Sequence, residues 1–161
     1  MRILKGVEER KALEHLVSAS ELASMSTCLR DKCGSEIVKD GEVIGRGYNS
    51  PPGGLESQRR CSNDKASYHR KVTDKLCCMH AEVRAIFDAL RHNPDKLPGS
   101  TLYFARLGND GKIAFSGKPY CTVCSKHSLD VGIAEFVLLH EEGVGVYTTE
   151  EYNDLSYEYS E

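Results

Sequence analysis

The sequence predicts an α/β fold in which helices pack on both faces of a mixed central β-sheet of about five strands. Apolar residues recur at helical spacing in several segments, whereas other segments are short β-rich runs bounded by Gly, Pro and Asp. The two kinds of segment follow one another in the order α-β-β-α-β-α-β-α, which favours helices layered on a sheet. A chain of 161 residues is long enough for one core, so we expect a single domain over 1–161.

The first half of the chain begins with a predicted amphipathic helix over residues 8–27. Its apolar and small residues recur at helical spacing at Leu13, Leu16, Val17, Ser20 and Ala23. Two short strands follow within residues 34–49, joined by Asp40-Gly41, a strong hairpin signal. Residues 51–75 are polar and irregular. A second helix is predicted from about His80 to Arg91, because Pro94 prevents its continuation.

The sequence of the second half of the chain predicts four more elements of regular structure and one short extra strand. Residues 101–107 and 134–140 are rich in β-forming residues and are predicted strands. The turn at 108–117 is long enough to contain a further short strand. A helix is predicted from Cys121 to a close at Gly132, since glycine commonly ends helices. Residues 148–159 predict a terminal helix with a capping box formed by Thr148 and Glu151.

Composition excludes several classes of protein. With 40% hydrophobic and 28% charged residues, the chain resembles ordinary globular proteins rather than disordered ones. No apolar run reaches membrane-spanning length, and the charged start lacks the apolar core of a signal peptide. We therefore expect a cytoplasmic protein whose seven cysteines are reduced thiols, core residues or metal ligands. A net charge of −3 and an acidic segment after residue 140 argue against a polynucleotide substrate.

Two short motifs point to a metal site. Residues 77–86, CCMHAEVRAI, place His80 at the start of a helix, and Cys121 and Cys124 are spaced C-x-x-C at the start of another. A helix N-terminus favours thiolates, and one imidazole with two thiolates leaves a fourth position open, as in catalytic zinc sites. Glu82 lies beside that position and is the predicted proton carrier. A closed structural zinc site that includes Cys78 is the alternative.

On these residues the chain resembles the cytidine and deoxycytidylate deaminase family, whose signature is H-x-E followed by P-C-x-x-C. The resemblance covers about residues 20–140, including GYNSPP, HAEVRAI and CTVCSKHSLDVG, and is strongest for the deoxycytidylate branch. It implies a three-layer cytidine-deaminase-like fold and one catalytic Zn²⁺ held by His80, Cys121 and Cys124. It also implies that Glu82 moves protons during hydrolytic deamination, that Ala81 contacts the base and that Asn49 holds the sugar or its phosphate.

The resemblance implies a small-molecule partner, a free cytosine nucleotide or nucleoside, with deoxycytidylate favoured. Family members commonly assemble, so we also expect a homo-oligomer of two or more chains. Two other functions stay open at this point. One is a base deaminase acting on transfer RNA or single-stranded nucleic acid, which needs an exposed basic groove. The other is a catalytically silent module that zinc merely stabilises.

A basic segment is the candidate phosphate site. Residues 56–75 contain six Lys or Arg against three Asp or Glu, and guanidinium groups match the geometry of a phosphate. The candidates are Arg59 and Arg60 first, and then Lys65, Arg70 and Lys71. A solvated loop without a ligand is the alternative.

The same irregular region suggests a second, structural zinc. Some deoxycytidylate deaminases carry one here, and Cys61, His69 and Cys77 or Cys78 are the candidate ligands. We expect Cys28 and Cys33 to be small buried residues instead.

Three features depart from the family pattern. Tyr120 separates Pro119 from Cys121, where the family has proline directly before cysteine, and the loop at 107–118 is longer; both lie at the rim of the expected pocket. Glu36 replaces a small or apolar residue, and we expect it on an exposed strand face; the alternative is that it reaches towards the substrate.

Overall fold

The structure is a computed structural model that describes residues 1–160. The described residues form four α-helices and seven β-strands. The helices are α1 (Gly6–Ser24), α2 (Ala81–His92), α3 (Thr122–Asp130) and α4 (Thr149–Tyr157). The strands are β1 (Arg2–Ile3), β2 (Lys32–Lys39), β3 (Glu42–Tyr48), β4 (Thr101–Leu107), β5 (Ile113–Ala114), β6 (Glu135–His140) and β7 (Gly143–Thr148).

All seven strands belong to one mixed sheet with the order β1-β7-β6-β4-β2-β3, and β5 pairs with β4 beside this path. Only β4 and β6 pair in parallel among the described strands; the other pairs are antiparallel. The predicted α/β class is confirmed. The sheet has more strands than the expected five, because neither the two-residue β1 nor β7, which follows β6 through a tight turn, was predicted as a strand.

Local sequence signals explain where several elements begin and end. Asp40 and Gly41 both adopt positive φ, at 51° and 80°, and so provide the turn between β2 and β3 that Asp-Gly favours. Thr148 caps α4, since its hydroxyl accepts a hydrogen bond from the Glu151 backbone N–H at 3.1 Å.

The sheet separates two apolar clusters. α1 covers one face, where Leu16 packs with residues such as Val137 and Val144. The other three helices cover the opposite face, where Phe136 of β6 stacks on Tyr152 of α4 with ring centroids 4.1 Å apart. Consecutive residues of β6 point to opposite faces, so one strand serves both clusters. None of the helices among the residues described combines the length and the apolar character needed to cross a membrane.

Glu36 lies on the α1 face of β2 and is fully buried. Our expectation of an exposed position was wrong, because α1 supplies partners for this carboxylate. His15 Nδ1 lies 2.5 Å from one carboxylate oxygen, and the Ser18 hydroxyl donates to the other at 2.6 Å. A buried carboxylate requires such partners, and the helix that covers it provides both of them.

Glycines on β3 let α2 approach the sheet closely. A Cβ added at Gly47 would lie 2.3 Å from the Ala81 carbonyl oxygen and 2.5 Å from the Ala85 backbone nitrogen. A Cβ added at Gly45 would lie 2.4 Å from the Ala85 carbonyl oxygen. The backbone of α2 lies so close to β3 that neither position can carry a side chain. These glycines therefore determine where the first turn of α2 lies.

Gly47→Ala should therefore push the start of α2 away from β3 and lower the free energy of unfolding by about 1–3 kcal/mol, the usual cost of overpacking a tight core. Urea unfolding followed by circular dichroism measures the change. Arg46→Ala is the matched control, since the neighbouring Arg46 side chain is exposed and should change stability by no more than about 0.5 kcal/mol. Equal stability of the two variants would contradict this role for Gly47.

Candidate active site

The N-terminal ends of α2 and α3 bring three donor atoms together. His80 and Cys121 are the residues directly before α2 and α3, and Cys124 lies in the first turn of α3. The His80 Nδ1 lies 3.1 Å from the Cys124 sulfur and 3.2 Å from the Cys121 sulfur. The two sulfur atoms are 2.9 Å apart. Residues separated by more than 40 positions in the sequence thus share one small volume.

The charges in this cluster favour a thiolate at Cys121, whereas burial and the hydrogen bond with Cys121 raise the pKa of Cys124. A hydrogen bond from the Cys124 thiol, supported by the pairing with His80, lowers the pKa of Cys121 to about 4 despite burial. The hydrogen bond to Cys121 raises the pKa of His80 to about 9 against the opposing effect of burial. The Cys124 backbone N–H also donates to the Cys121 sulfur at 3.3 Å. Cys121 is therefore a thiolate at neutral pH, the form in which cysteine binds metals.

The donor set fits zinc. Zinc prefers thiolate and imidazole ligands, and three protein ligands with one open position are typical of its catalytic sites. The ligand atoms of His80, Cys121 and Cys124 all lie within 4.8 Å of one another. Cys78, which the closed alternative requires, lies instead with Cys28 and Cys61 in a separate cluster. This grouping disfavours the closed site.

Glu82 lies on the first turn of α2 next to these donors and is 5% exposed. Burial raises the pKa of the Glu82 carboxyl, and the negative charge of Cys121 adds to the effect. A carboxyl group whose pKa moves toward neutrality exchanges protons more readily at neutral pH than an exposed one. Because Glu82 is not among the three grouped donors, it is free to carry protons.

His80, Cys121 and Glu82 line a cavity of about 320 Å³, whereas Cys124 is fully buried behind them. Ala81 and Asn49 both line it, as the resemblance predicts for substrate contacts. The Asn49 amide oxygen accepts from the Cys33 backbone N–H at 2.8 Å, and the amide nitrogen donates to the Asp31 carbonyl at 2.8 Å. An amide nitrogen carries two hydrogens, so Asn49 retains one N–H donor for a ligand. Its bonds to Asp31 and Cys33 hold the backbone at the start of β2.

Two contacts hold the Asn49 segment against α2. The Met79 backbone N–H donates to the Ser50 carbonyl at 2.9 Å. The half-buried Arg84 guanidinium, from the first turn of α2, donates to the Pro51 carbonyl at 2.9 Å. Asn49 is therefore positioned by the same helix that positions His80 and Glu82.

The cavity wall is basic on one side, but only partly through the residues that we predicted. Arg60 and Lys65 line the cavity, whereas Arg59, Arg70 and Lys71 do not. Arg59 instead forms an ion pair with Glu56, which lies three residues earlier in the same exposed turn. The other basic residues that line the cavity are Arg30, Lys75 and Lys118. Lys118 lies directly before the Pro-Tyr-Cys segment, which is a weak sequence signal for a place at the cavity, whereas no such signal exists for Arg30.

The second thiol cluster has a different membership from the predicted one. The sulfur atoms of Cys28, Cys61 and Cys78 group within 4.8 Å, and those of Cys61 and Cys78 are 3.7 Å apart. We expected Cys28 to be a small buried residue and not a ligand. It is instead half-buried and belongs to this cluster. His69 is exposed and stands outside the group, and so does Cys77.

Cys77 nevertheless lies beside this cluster. Burial opposes ionisation of Cys61, but hydrogen bonds from a backbone N–H and from the thiols of Cys77 and Cys78 outweigh it and lower the pKa of Cys61 to about 7. The Cys77 sulfur itself accepts a hydrogen bond from the Arg60 backbone N–H at 2.9 Å. The irregular segment is thus tied to the start of α2 through its thiols.

Two of the three departures from the family pattern face the cavity. Ser116 and Lys118 of the long loop line it, and so does Tyr120. The loop bonds back to the sheet where the Ser116 backbone N–H donates to the Leu139 carbonyl at 2.8 Å. The predicted location of these features at the pocket rim agrees with this arrangement.

Comparison with known families and sequences identifies relatives. A family model described as the cytidine and deoxycytidylate deaminase zinc-binding region matches residues 8–140. A deoxycytidylate deaminase of Schizosaccharomyces pombe is 31% identical over 124 residues, which are 74% of this chain and 34% of the relative. A deoxycytidylate deaminase of Mycobacterium phage D29 is 33% identical over 94 residues, 55% of this chain and 71% of the relative. The match to the yeast protein thus spans about a third of its length.

Solved structures share the fold. The dCMP deaminase of cyanophage S-TIM5, determined in complex with dCMP and dUMP, superposes with a TM-score of 0.55 at 21% identity, covering 83% of this chain and 82% of that one. The cytidine deaminase of Burkholderia pseudomallei gives a TM-score of 0.55 at 20% identity, covering 87% of this chain and 94% of that one. At this level of identity the likeness concerns the fold, which is the three-layer arrangement predicted from the sequence.

Removing one donor should remove the ion. Cys124→Ala is expected to lose about one zinc ion per chain relative to the parent, because two ligands hold zinc far less tightly than three. Glu82→Ala is the control and should keep the parent's zinc content, since its carboxyl is not one of the donors. Metal analysis of dialysed protein measures both. Retention of all zinc by Cys124→Ala would contradict the ligand assignment.

Proposed function

The chain belongs to the cytidine and deoxycytidylate deaminase family, and from this membership we propose that it is a zinc-dependent enzyme that deaminates a free cytosine nucleotide by hydrolysis. Deoxycytidylate is the favoured substrate and the products are deoxyuridylate and ammonia. The two relatives named deoxycytidylate deaminase support this choice. We propose further that the chain acts as one domain over residues 1–161, and self-association stays a prediction.

The proposal depends above all on the placement of buried Glu82 beside His80, Cys121 and Cys124 at the wall of a cavity. Zinc held by those three residues would lower the pKa of a bound water to about 7 and so supply the nucleophile for attack on C4 of cytosine. A purely structural zinc site does not require a buried carboxyl next to the donors. The placement therefore favours an enzyme over a silent module.

Glu82 is proposed to serve each proton transfer in turn. Its carboxylate accepts a proton from the attacking water and donates it to the ring nitrogen as the new C4–O bond forms. It then accepts a second proton, from the hydroxyl group now on C4, and donates this proton to the amine, so that the C4–N bond breaks, ammonia leaves and C4 becomes a carbonyl carbon. The raised pKa of Glu82 suits this exchange, because a group that both accepts and donates works best when its pKa is close to the working pH. The backbone at Ala81, at the first turn of α2, is proposed to orient the base.

The basic wall of the cavity supports a nucleotide over a nucleoside. Arg60 and Lys118 belong to different loops that both reach the cavity, and Arg30 comes from a third segment. A phosphate placed among them would receive charge-assisted hydrogen bonds from several directions. We propose this group in place of Arg59 as the phosphate receptor, while Arg60 keeps its predicted role.

Glu82→Ala should lose most of the activity, by a factor of about 10²–10⁴, since one general acid–base group commonly contributes that much and Glu82 serves several transfers. Ammonia release from a panel of cytosine nucleotides, nucleosides and oligonucleotides measures it. Glu14→Ala, a change at an exposed acid on α1, is the control and should match the parent. Turnover by Glu82→Ala within about tenfold of the parent would place the proton carrier elsewhere.

The phosphate site makes a separate prediction about substrate preference. Charge-assisted hydrogen bonds contribute about 1.5–3 kcal/mol each, so two of them should raise kcat/KM for deoxycytidylate over deoxycytidine by about two to four decades. The preference should narrow as salt rises, because the cavity is open to water. Lys118→Ala should reduce it, whereas Lys71→Ala, at an exposed residue outside the cavity, should not. Equal efficiency on both substrates, unaffected by salt, would mean that the basic residues are only solvated.

We also propose a second, structural zinc at Cys28, Cys61 and Cys78, with Cys77 beside them. Cys28, Cys61 and Cys78 supply three thiols from segments with little regular structure, and Cys77 is the candidate fourth ligand that would close a thiolate-rich zinc site. Such an ion would hold the loop that carries Arg60 and Lys65 against the start of α2.

Cys61→Ser should then reduce the zinc content from about two ions per chain to about one, as expected for loss of a structural thiolate site, and should weaken nucleotide binding more than it slows chemistry. Cys33→Ser is the control, since Cys33 belongs to neither cluster. A parent protein that retains a single zinc ion after dialysis would reject the second site.

A further inference from the structure

Tyr120 presents an aromatic ring to the cavity directly before the first cysteine of the C-x-x-C motif. The side chain lines the cavity and is 57% exposed, although its neighbours Pro119 and Cys121 are both buried. The backbone at this point is therefore fixed by its flanking residues, while the ring projects outward. An aromatic ring left open to water at the edge of a cavity gains free energy when a flat apolar surface covers it.

A second tyrosine packs against this ring from another part of the chain. The ring centroids of Tyr120 and Tyr159 are 5.8 Å apart with an interplanar angle of 57°, within the range of favourable aromatic pairs. Tyr159 lies just beyond α4, which ends at Tyr157. The pair thus connects the segment after α4 to the entrance of the cavity.

α4 is held firmly enough to support this contact. Its Asn153 amide oxygen accepts a hydrogen bond from the Ser125 hydroxyl of α3 at 2.8 Å. Its Tyr152 stacks on Phe136 of the sheet and lines the same cavity as Tyr120. Tyr159 therefore follows a helix that is fixed to α3 and to the sheet, and the N-terminal end of α3 holds Cys121 and Cys124.

We propose that Tyr120 is a specificity-determining residue that stacks on the pyrimidine ring of the substrate, and that Tyr159 is a positioning residue that holds the Tyr120 ring in place. This inference rests on the proposed function, because it takes the ligand to be a cytosine nucleotide. Aromatic side chains bind bases through their flat faces and without regard to hydrogen-bond pattern. Tyr120 would thus select for a planar ring, while Glu82 and the basic wall recognise the amine and the phosphate.

The competing role for Tyr120 is that of a purely structural contact for Tyr159. In that case loss of either ring would loosen the segment after α4 and lower the melting temperature, without a specific effect on binding of the pyrimidine. The two roles differ in KM and in ligand affinity, which a structural contact alone does not change.

The experiment compares Tyr120→Ala, Tyr120→Phe, Tyr159→Ala and Tyr159→Phe with the parent, using kcat and KM for deoxycytidylate and the Kd for dUMP by calorimetry. Tyr157→Ala is the matched control, since Tyr157 lies on the same segment and is 66% exposed. Zinc content and melting temperature are measured for every variant to verify that each is folded. The Kd for dUMP does not depend on turnover, so it reports on Tyr120 separately from the chemistry.

Tyr120→Ala should raise KM and the Kd for dUMP by about 5- to 150-fold, the range for loss of one base-stacking ring, with zinc content unchanged. Tyr120→Phe should have a KM and a Kd for dUMP close to those of the parent, because the aromatic ring is kept. Tyr159→Ala should raise KM and the Kd for dUMP by a smaller factor. Tyr159→Phe and Tyr157→Ala should leave both values unchanged.

Two failures are distinguishable. If the parent deaminates deoxycytidylate but Tyr120→Ala leaves KM and the Kd for dUMP unchanged, the inference is overturned and the proposed function stays intact. A parent that neither releases ammonia from any cytosine nucleotide nor binds dUMP would overturn both. Equal losses of melting temperature in Tyr120→Ala and Tyr159→Ala with unchanged Kd would establish the purely structural role.

Discussion

The close approach of α2 to β3 is the constraint on which the site depends. Gly45 and Gly47 leave no room for a side chain between the strand and the helix, so the backbone of α2 rests directly on the sheet. This contact places His80, Ala81 and Glu82 at the edge of the sheet, where the start of α3 also lies. The thiols at Cys121 and Cys124 meet the His80 ring there because both helices begin at the same end of one layer. A small shift of α2 would separate the donors.

The chemistry follows from burial at this junction. Burial keeps the Glu82 carboxyl from ionising as readily as an exposed glutamate, while hydrogen bonding keeps Cys121 ionised. Two acidic groups that are far apart in sequence but close in the fold thus acquire opposite tendencies from their surroundings, which suits Cys121 to ligation and Glu82 to proton transfer. The longer loop before Cys121 and the irregular segment before His80 then form the wall of the cavity and supply its basic and aromatic groups.

Sequence reasoning succeeded where a signal is local and failed where tertiary contacts decide. The Asp40-Gly41 hairpin, the Thr148 cap and the helices that begin after His80 and Cys121 all follow from residues close in sequence. Glu36 was misplaced because its partners, His15 and Ser18, come from a helix that only the fold brings over it. β1 is too short for a periodic pattern, and Lys118 and Arg30 reach the cavity only through loop conformation. The same limit explains why Cys28 joined the second thiol cluster in place of His69.

The central claim is that one zinc ion has three protein ligands and an open position that faces Glu82. Diffraction from crystals of the zinc-loaded protein at wavelengths on either side of the zinc absorption edge tests it most directly. We predict an anomalous peak at about 2.0–2.3 Å from His80 Nδ1 and the sulfur atoms of Cys121 and Cys124. A non-protein ligand should occupy the fourth position, within about 3 Å of a Glu82 oxygen. A fourth protein side chain on that ion, including Glu82 itself, would contradict the claim.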